Sequence, residues 1–311
     1  MQWKNLDLED LARLFGAAPE ELARHCHEEI ASVDLHYSPL GSEERDALLL
    51  RILKTMDEPA LPVAGESRKP DWERGWRENL DDFIASGHDV RALVPKYYRK
   101  RAPARLFGDY VMPRSDDFVF NVTHIFRLWL FKTYFTGKRH FFEFGCGSGQ
   151  HVAFLASLFP GAACTGLDWA RPSQEIIAVM AEKTGWDVRG RNFDFFNPDK
   201  SIDIPDDSAV FTFGALEQTG ANHGAFLDML IEKAPAICVN IEGLHELYDQ
   251  DNFTDYLAFR YHMRRGYLRD YLTRLRQEEA KGRVAILAVH HQRFGNIFDD
   301  PHSYVIWRPI A

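Results

Sequence analysis

Up to about residue 138 the apolar positions recur at helical spacing. Leu6, Leu8, Leu11, Leu14 and Phe15 make one stripe, and Leu48, Leu49, Leu50, Ile52 and Leu53 anchor another. Pro59 to Pro70, with Gly65 and Ser67, reads as a turn-rich linker. From Pro70 to Arg139 helices resume, with Trp72, Trp76, Leu80 and Phe83 spaced along one face. Past residue 138 the pattern becomes short apolar runs separated by helical segments. It predicts strands at 140–145, 163–167, 187–191, 209–214, 236–241, 283–291 and 303–308. Helices are predicted at 149–159, 171–184, 222–234 and across 250–281. Apolar strands alternating with helices imply a parallel sheet covered on both faces. The last two strands are joined by a short loop containing Gly295, Asn296 and Pro301, with no helix, so they should pair as a hairpin. The expected fold is therefore α/β. A seven-stranded, mostly parallel, Rossmann-like sheet ends in an antiparallel hairpin, and an N-terminal helical cap precedes it. The divisions are 1–138 for the cap and 139–311 for the sheet domain, with a helical insertion at about 244–281.

Composition narrows the function classes. The 311 residues are 45% hydrophobic and 13% aromatic, enough for a real core. A net charge of −9 argues against general affinity for DNA or RNA, which a basic surface supplies. Cys26, Cys146, Cys164 and Cys238 show no paired spacing, which suits a reducing compartment. His25-Cys26-His27 looks like a metal fragment, but neighbours on a helix point apart and no second ligand pair follows. The most apolar stretch, Ile125 to Phe135, is too short to span a bilayer and carries Arg127 and Lys132. Met1 to Asn5 leads into an amphipathic helix rather than a signal peptide, so a soluble, cytoplasmic protein is expected. Monomer and homodimer both remain open.

Candidate chemistry begins at Glu143-Phe144-Gly145-Cys146-Gly147-Ser148-Gly149, between an apolar strand and an apolar helix. Gly166-Leu167-Asp168 follows about 20 residues later, where a ribose-binding acid is required after a glycine turn. Dinucleotide enzymes use G-x-G-x-x-G, with the helix N-terminus facing a pyrophosphate. Here the glycines are spaced G-x-G-x-G behind an acid, which fits a cationic cofactor better than a diphosphate. A ligand-free glycine turn is the bland alternative, and Asp168 at the required distance speaks against it.

Together these features resemble the class I S-adenosylmethionine-dependent methyltransferases over residues 138–311. The resemblance implies S-adenosylmethionine as cofactor and S-adenosylhomocysteine (SAH) as product. Glu143, Gly145, Gly147 and Gly149 match the glycine motif, and Asp168 the acid that grips the ribose diol. Trp169 would lie along the adenine, Asp194 would accept from its amino group, and Phe195 would pack on the ring. Further pieces are Trp72-x-x-Gly75-Trp76-x-Glu78-Asn79, Pro95-Lys96-Tyr97, Phe126 to Phe131, Phe211 to Gln218 and Val305 to Pro309. They resemble bacterial methyltransferases of surface-polysaccharide and related sugar pathways, which implies O-methylation of a small polar acceptor such as a sugar. The first 65 residues carry no such match.

The fourth and fifth strands end in Glu217 and in Glu242 with His245, so all three are candidates at the active edge of the sheet. A hydroxyl is a poor nucleophile until its proton leaves. His245 has the ordinary pKa best suited to accepting it, while Glu217 or Glu242 would need partial desolvation. No metal is assigned; Mg²⁺ on Glu217, Glu242 and Glu246 is a minor option without a recognised motif. Two basic clusters, Lys96 to Arg101 with Arg105 and Arg260 to Arg265, mix arginine with tyrosine. From them Tyr97, Arg99, Arg260 and Tyr261 are candidates to contact an acceptor, which could then be anionic. A small-amine N-methyltransferase and a non-catalytic cofactor-binding scaffold are the rival readings. Neither nucleic acid nor membrane is an expected partner.

Overall fold

The computed structural model of the chain describes residues 2–310, the side chain of Tyr97 excepted. The first 138 residues are not wholly helical. They run β1 (Lys4–Asn5), α1 (Leu8–Phe15), α2 (Pro19–Ser32), β2 (His36–Pro39), α3 (Ser42–Asp57) and α4 (Lys69–Ala85). Then come β3 (Ala104–Leu106), β4 (Asp109–Pro113) and α5 (Phe118–Tyr134). Helix α1 starts where the Asp7 carboxylate accepts from the amide of Asp10 at 2.9 Å, and stops at left-handed Gly16. β3 and β4 form a hairpin whose two-residue loop, Phe107-Gly108, has positive φ at both positions, the turn that matches strand twist.

The remainder supplies β5 (His140–Phe144), α6 (Gln150–Leu158), β6 (Ala163–Asp168), α7 (Arg171–Thr184), β7 (Val188–Asn192) and β8 (Ala209–Phe213). After these come α8 (Gly224–Lys233), β9 (Ile237–Ile241), α9 (Phe253–Arg265) and α10 (Tyr271–Ala280). β10 (Val284–His290), β11 (Phe294–Gly295) and β12 (Tyr304–Pro309) close the chain. The expected helix across 250–281 is two helices, separated after left-handed Gly266.

The seven-stranded sheet has the order β10-β12-β9-β8-β5-β6-β7. β12 is antiparallel to both neighbours and the pairs from β9 to β7 are parallel, so the α/β sheet with its terminal hairpin forms as expected. Strand order reverses at β5, which opens a crevice at the carboxyl ends of β5 and β8. Alternation along the strands serves both faces. Phe141 and Phe211 face a cluster that includes α5, α6 and α7, whereas Phe142, Phe144 and Val210 face one that includes α8 and α10. Helix α5 is buried nearly all round, and Phe131 meets Phe211 edge-on at 5.3 Å. Each such phenylalanine contributes about 1.5–3 kcal/mol of burial.

A five-stranded antiparallel sheet, ordered β1-β2-β4-β3-β11, corrects the helical-cap expectation. Its fifth strand comes from the loop between β10 and β12, so the expected boundary near 138 is bridged by hydrogen-bonded strands. Among the described residues no helix is long and apolar enough to cross a membrane. All four cysteines are free and buried, and Cys26 points its thiol at the Ile125 carbonyl.

Candidate active site

The glycine turn lies at the crevice. Gly145, Gly147 and Gly149 have φ of 79°, 52° and 71°, where side chains are disfavoured. The turn is also crowded: a Cβ on Gly145 would lie 2.2 Å from Ala215, and one on Gly147 2.7 Å from the Trp76 ring. Beside it is a cleft of about 820 Å³. Trp72 and Trp76 of α4, stacked at 5.6 Å, form one wall, and Trp169 stacked on Phe196 at 6.2 Å forms another. Phe195 also lines the cleft, as do Glu143 and Asp168.

Both acids are buried. Asp168 accepts from the amides of Gly147 (2.9 Å) and Ala170 (2.8 Å). Burial pushes its pKa up to about 6 against those bonds. Glu143 is the less satisfied group. Its Oε1 lies 3.3 Å from Nδ1 of His151, and its Oε2 has no hydrogen-bond partner. Burial raises the Glu143 carboxyl well above its usual range, and burial likewise drives His151 low. An under-bonded carboxyl in the wall of a cleft suits a ligand that brings N–H donors and positive charge.

Asp194 does not line the cleft. Its Oδ2 pairs with Lys69 Nζ at 2.7 Å and its Oδ1 accepts from the Phe196 amide at 2.9 Å. Lys69 Nζ also lies 5.1 Å from the Trp169 ring centroid. The expected adenine contact is thus replaced by a tie between the start of α4 and the rim of the cleft.

A second chamber, of about 700 Å³, adjoins the cleft and shares Trp72, Tyr98, Phe213 and Gly214 with it. Glu217 lines it, with Tyr261 and Tyr267, and loop 291–303 adds Asp299 and His302. Burial, then the charges of Asp299 and Glu242, pushes Glu217 up to about 8. Burial lifts Asp299 to about 6 against a hydrogen bond from Asn296, and lowers His302 to about 4.

The other expected catalytic residues face elsewhere. Glu242 is fully buried, accepting from the amides of Ala215 (3.2 Å), Leu216 (3.1 Å) and Glu217 (3.2 Å). It shapes the loop after β8 and positions Glu217. His245 lines neither cavity; its Nε2 accepts from the Asp270 amide at 3.1 Å, at the start of α10. Glu246 accepts from the Thr273 amide at 3.2 Å. Glu217, Glu242 and Glu246 therefore do not converge, and among the described residues no three metal-type side chains cluster.

Of the acceptor candidates whose side chains are described, Tyr261 lines the chamber and Arg99 and Arg260 do not. Arg99 pairs with Asp117 at 3.7 Å, and exposed Arg260 donates to Tyr256 at 3.0 Å. The Tyr97 side chain lies outside the described set. Trp72, Trp76, Tyr98, His151, Asp299 and His302 were not among the expected site residues.

These raised acids carry a stability signature. Asp168 and Asp299 at about 6, Glu242 at about 7 and Glu217 at about 8 all lie above an unfolded carboxyl near 4. Between those limits each of these acids holds a proton that it gives up in the unfolded chain. Their contribution is complete below the unfolded value and is lost as pH rises through about 6 to 8. The melting temperature of the ligand-free protein is expected to fall as pH rises from about 6.5, where the histidines of the unfolded chain have lost their protons, to about 8. A constant or rising melting temperature in calorimetry would contradict these shifts.

No family model and no curated protein matches the chain. Among solved structures it is similar to the plantazolicin methyltransferase BpumL in complex with a monoazolic desmethylPZN analog and SAH. Identity there is 13%, coverage 78% of this chain and 98% of that one, and the TM-score 0.43. An rRNA methylase from Escherichia coli is similar at 10% identity, with 98% and 100% coverage and a TM-score of 0.44. The N-terminal domain of EvdMO1 in the presence of SAH and D-fucose is similar at 17% identity, with 58% and 80% coverage and a TM-score of 0.40. Methyltransferases recur among these structures, but likeness at such TM-scores carries no weight for activity or substrate.

Proposed function

We propose that the chain is an S-adenosylmethionine-dependent methyltransferase acting on a small polar acceptor. The observation that carries this reading is the partnerless Oε2 of buried Glu143, beside positive-φ glycines and in the wall of an aromatic cleft. The cofactor's ammonium and sulfonium groups match that need, and when bound it supplies an electrophilic methyl. Glu143 would hold the ammonium. Asp168 keeps lone pairs beyond its two amide bonds for the ribose hydroxyls, and Trp169 and Phe195 offer apolar faces to the adenine.

Glu217 is the proton acceptor in this reading, in the wall of the chamber that adjoins the cleft. His245 drops out because it faces α10. An anionic acceptor loses its main support, because Arg99 and Arg260 lie on other surfaces. The oxygen of a sugar, implied by the flanking motifs, remains compatible with the aromatic walls and acids of the chamber. Most of the rate would come from aligning the acceptor with the methyl in a water-poor site.

Titration calorimetry with SAH tests the reading. Wild-type protein is expected to bind, and Glu143→Gln to bind about tenfold more weakly, since a hydrogen bond to a charged group contributes roughly 1.5–3 kcal/mol. No binding of SAH by a folded wild-type protein would refute it.

A further inference from the structure

We propose that the acceptor is a small organic amine, bound as its ammonium ion in the chamber next to the cleft and methylated on nitrogen. This rests on the methyltransferase reading and names the substrate class of the same site.

The chamber asks for hydrogen-bond donors and positive charge. Its acids, Glu217 and Asp299, line the same space, and the charge of Asp299 works against ionisation of Glu217, a conflict that a cation between them relieves. Gln218, which lines the adjoining cleft, donates through Nε2 to Glu217 at 3.0 Å and so holds that acid in place. His302, 6% exposed, lines the chamber with Nδ1 unpartnered. Buried polar atoms in this state are rare unless a ligand or water meets them. An ammonium group brings three donors, whereas a hydroxyl brings one. The walls are aromatic: Trp72, Tyr98, Tyr261 and Tyr267 all line the chamber, and aromatic rings attract a desolvated cation.

No lysine or arginine is among the described residues lining the chamber. Arg265 lies behind the tyrosine wall. It donates to Tyr261 Oη at 2.6 Å, also binds the Pro62 carbonyl, and sits 4.6 Å from the Tyr267 ring centroid. It offsets one of the two acid charges without presenting a surface to an anion. An anionic acceptor would face both carboxyls with no paired donor.

The transfer balances with these residues. Glu217, as carboxylate, takes one proton from the ammonium, which exposes the nitrogen lone pair. That pair forms the N–C bond as the methyl–sulfur bond breaks, with its electrons left on sulfur. The product leaves as a methylammonium, and Glu217 returns its proton to solvent.

The test uses the full chain saturated with SAH, titrated with 2-phenylethylamine and histamine, then with 2-phenylethanol and methyl glucoside. At least one amine is expected to bind about tenfold more tightly than 2-phenylethanol, from ion pairing and cation–π contact. Asp299→Asn and Glu217→Gln, each checked for an unchanged thermal melt, are expected to erase that preference. With S-adenosylmethionine, mass spectrometry should find the added methyl on nitrogen. Alcohol or glucoside binding as tight as the amines, or an amine preference that survives both substitutions, would overturn the proposal while SAH binding kept the parent reading alive. Absence of SAH binding would remove both.

Discussion

Arg105→Ala is expected to destabilise the protein by about 3–5 kcal/mol, because it leaves buried Asp300 with only His291 beside it and takes from Asp255 one of its two arginines, Arg293 being the other. Arg105 and both acids are almost wholly inaccessible. Its Nε and Nη2 reach Asp300 at 2.9 and 3.1 Å, Nη2 also reaches Asp255 at 3.2 Å, and Nη1 donates to the Thr254 carbonyl at 2.8 Å. Burial works against charge on the guanidinium, but Asp300 outweighs it and the net shift is upward. The network joins β3, the start of α9 and the loop that carries Asp299 and His302. Its loss would therefore loosen the chamber as well as the fold. At about 2–4 °C per kcal/mol for a large domain, melting should fall by roughly 10 °C. Arg45→Ala is the control. Its pair with Asp109 at 3.2 Å is solvent-exposed, so about 0–1 kcal/mol is expected. A loss below about 1 kcal/mol in Arg105→Ala would show that the network is not structural in this sense.

Arg105 also shows where sequence reading fails. Within a basic cluster it looks like an anion contact, and only long-range folding reveals Asp255 and Asp300 around it. The large sheet was legible because its strands are apolar runs punctuated by glycine turns and helices. The small sheet was not: its strands are two to five residues long, and the β3–β4 turn uses Phe107 where Asn or Asp would have signalled a hairpin.

Glu143, Gly145, Gly147, Asp168, Trp169 and Phe195 stand at or just after strand ends that the sequence marks, and the structure brings them to one cleft. Asp194 is turned away by Lys69, 125 residues distant in sequence. Trp72 and Trp76 share a helical stripe with Leu80 and Phe83, so spacing alone suggests core. Yet only the later pair is buried, and the tryptophans overhang the cleft. Asp299 and His302 had a readable signal. β10 runs parallel with most of the sheet, so the loop leading to antiparallel β12 must emerge at the active edge. For His245 the strand end was visible, but the short turn at 245–247 rotates its ring toward α10.

Glu217→Gln is expected to reduce kcat by about 10²–10⁴-fold, the usual contribution of a positioned general base. Glutamine keeps the size of the side chain and an oxygen to accept from Gln218, so a structural role would leave turnover nearly intact. The pH profile separates the roles further. With its carboxyl near 8 in the free protein, Glu217 is mostly protonated at neutral pH. Because kcat/KM reports the free enzyme, it should climb with pH, about tenfold per unit, and level off above about 8. In Glu217→Gln that limb should vanish; any limb that remains belongs to the acceptor's own ionisation. Glu242 supplies the internal comparison. It is also raised, to about 7, but its oxygens are committed to three amides. Glu242→Gln replaces one accepting oxygen with a donor, so it should disturb the loop and lower thermal stability, while the pH limb set by Glu217 survives. If instead Glu217→Gln kept wild-type turnover and its pH limb, proton removal by this acid would be excluded, and alignment in the cleft would have to account for the rate without it.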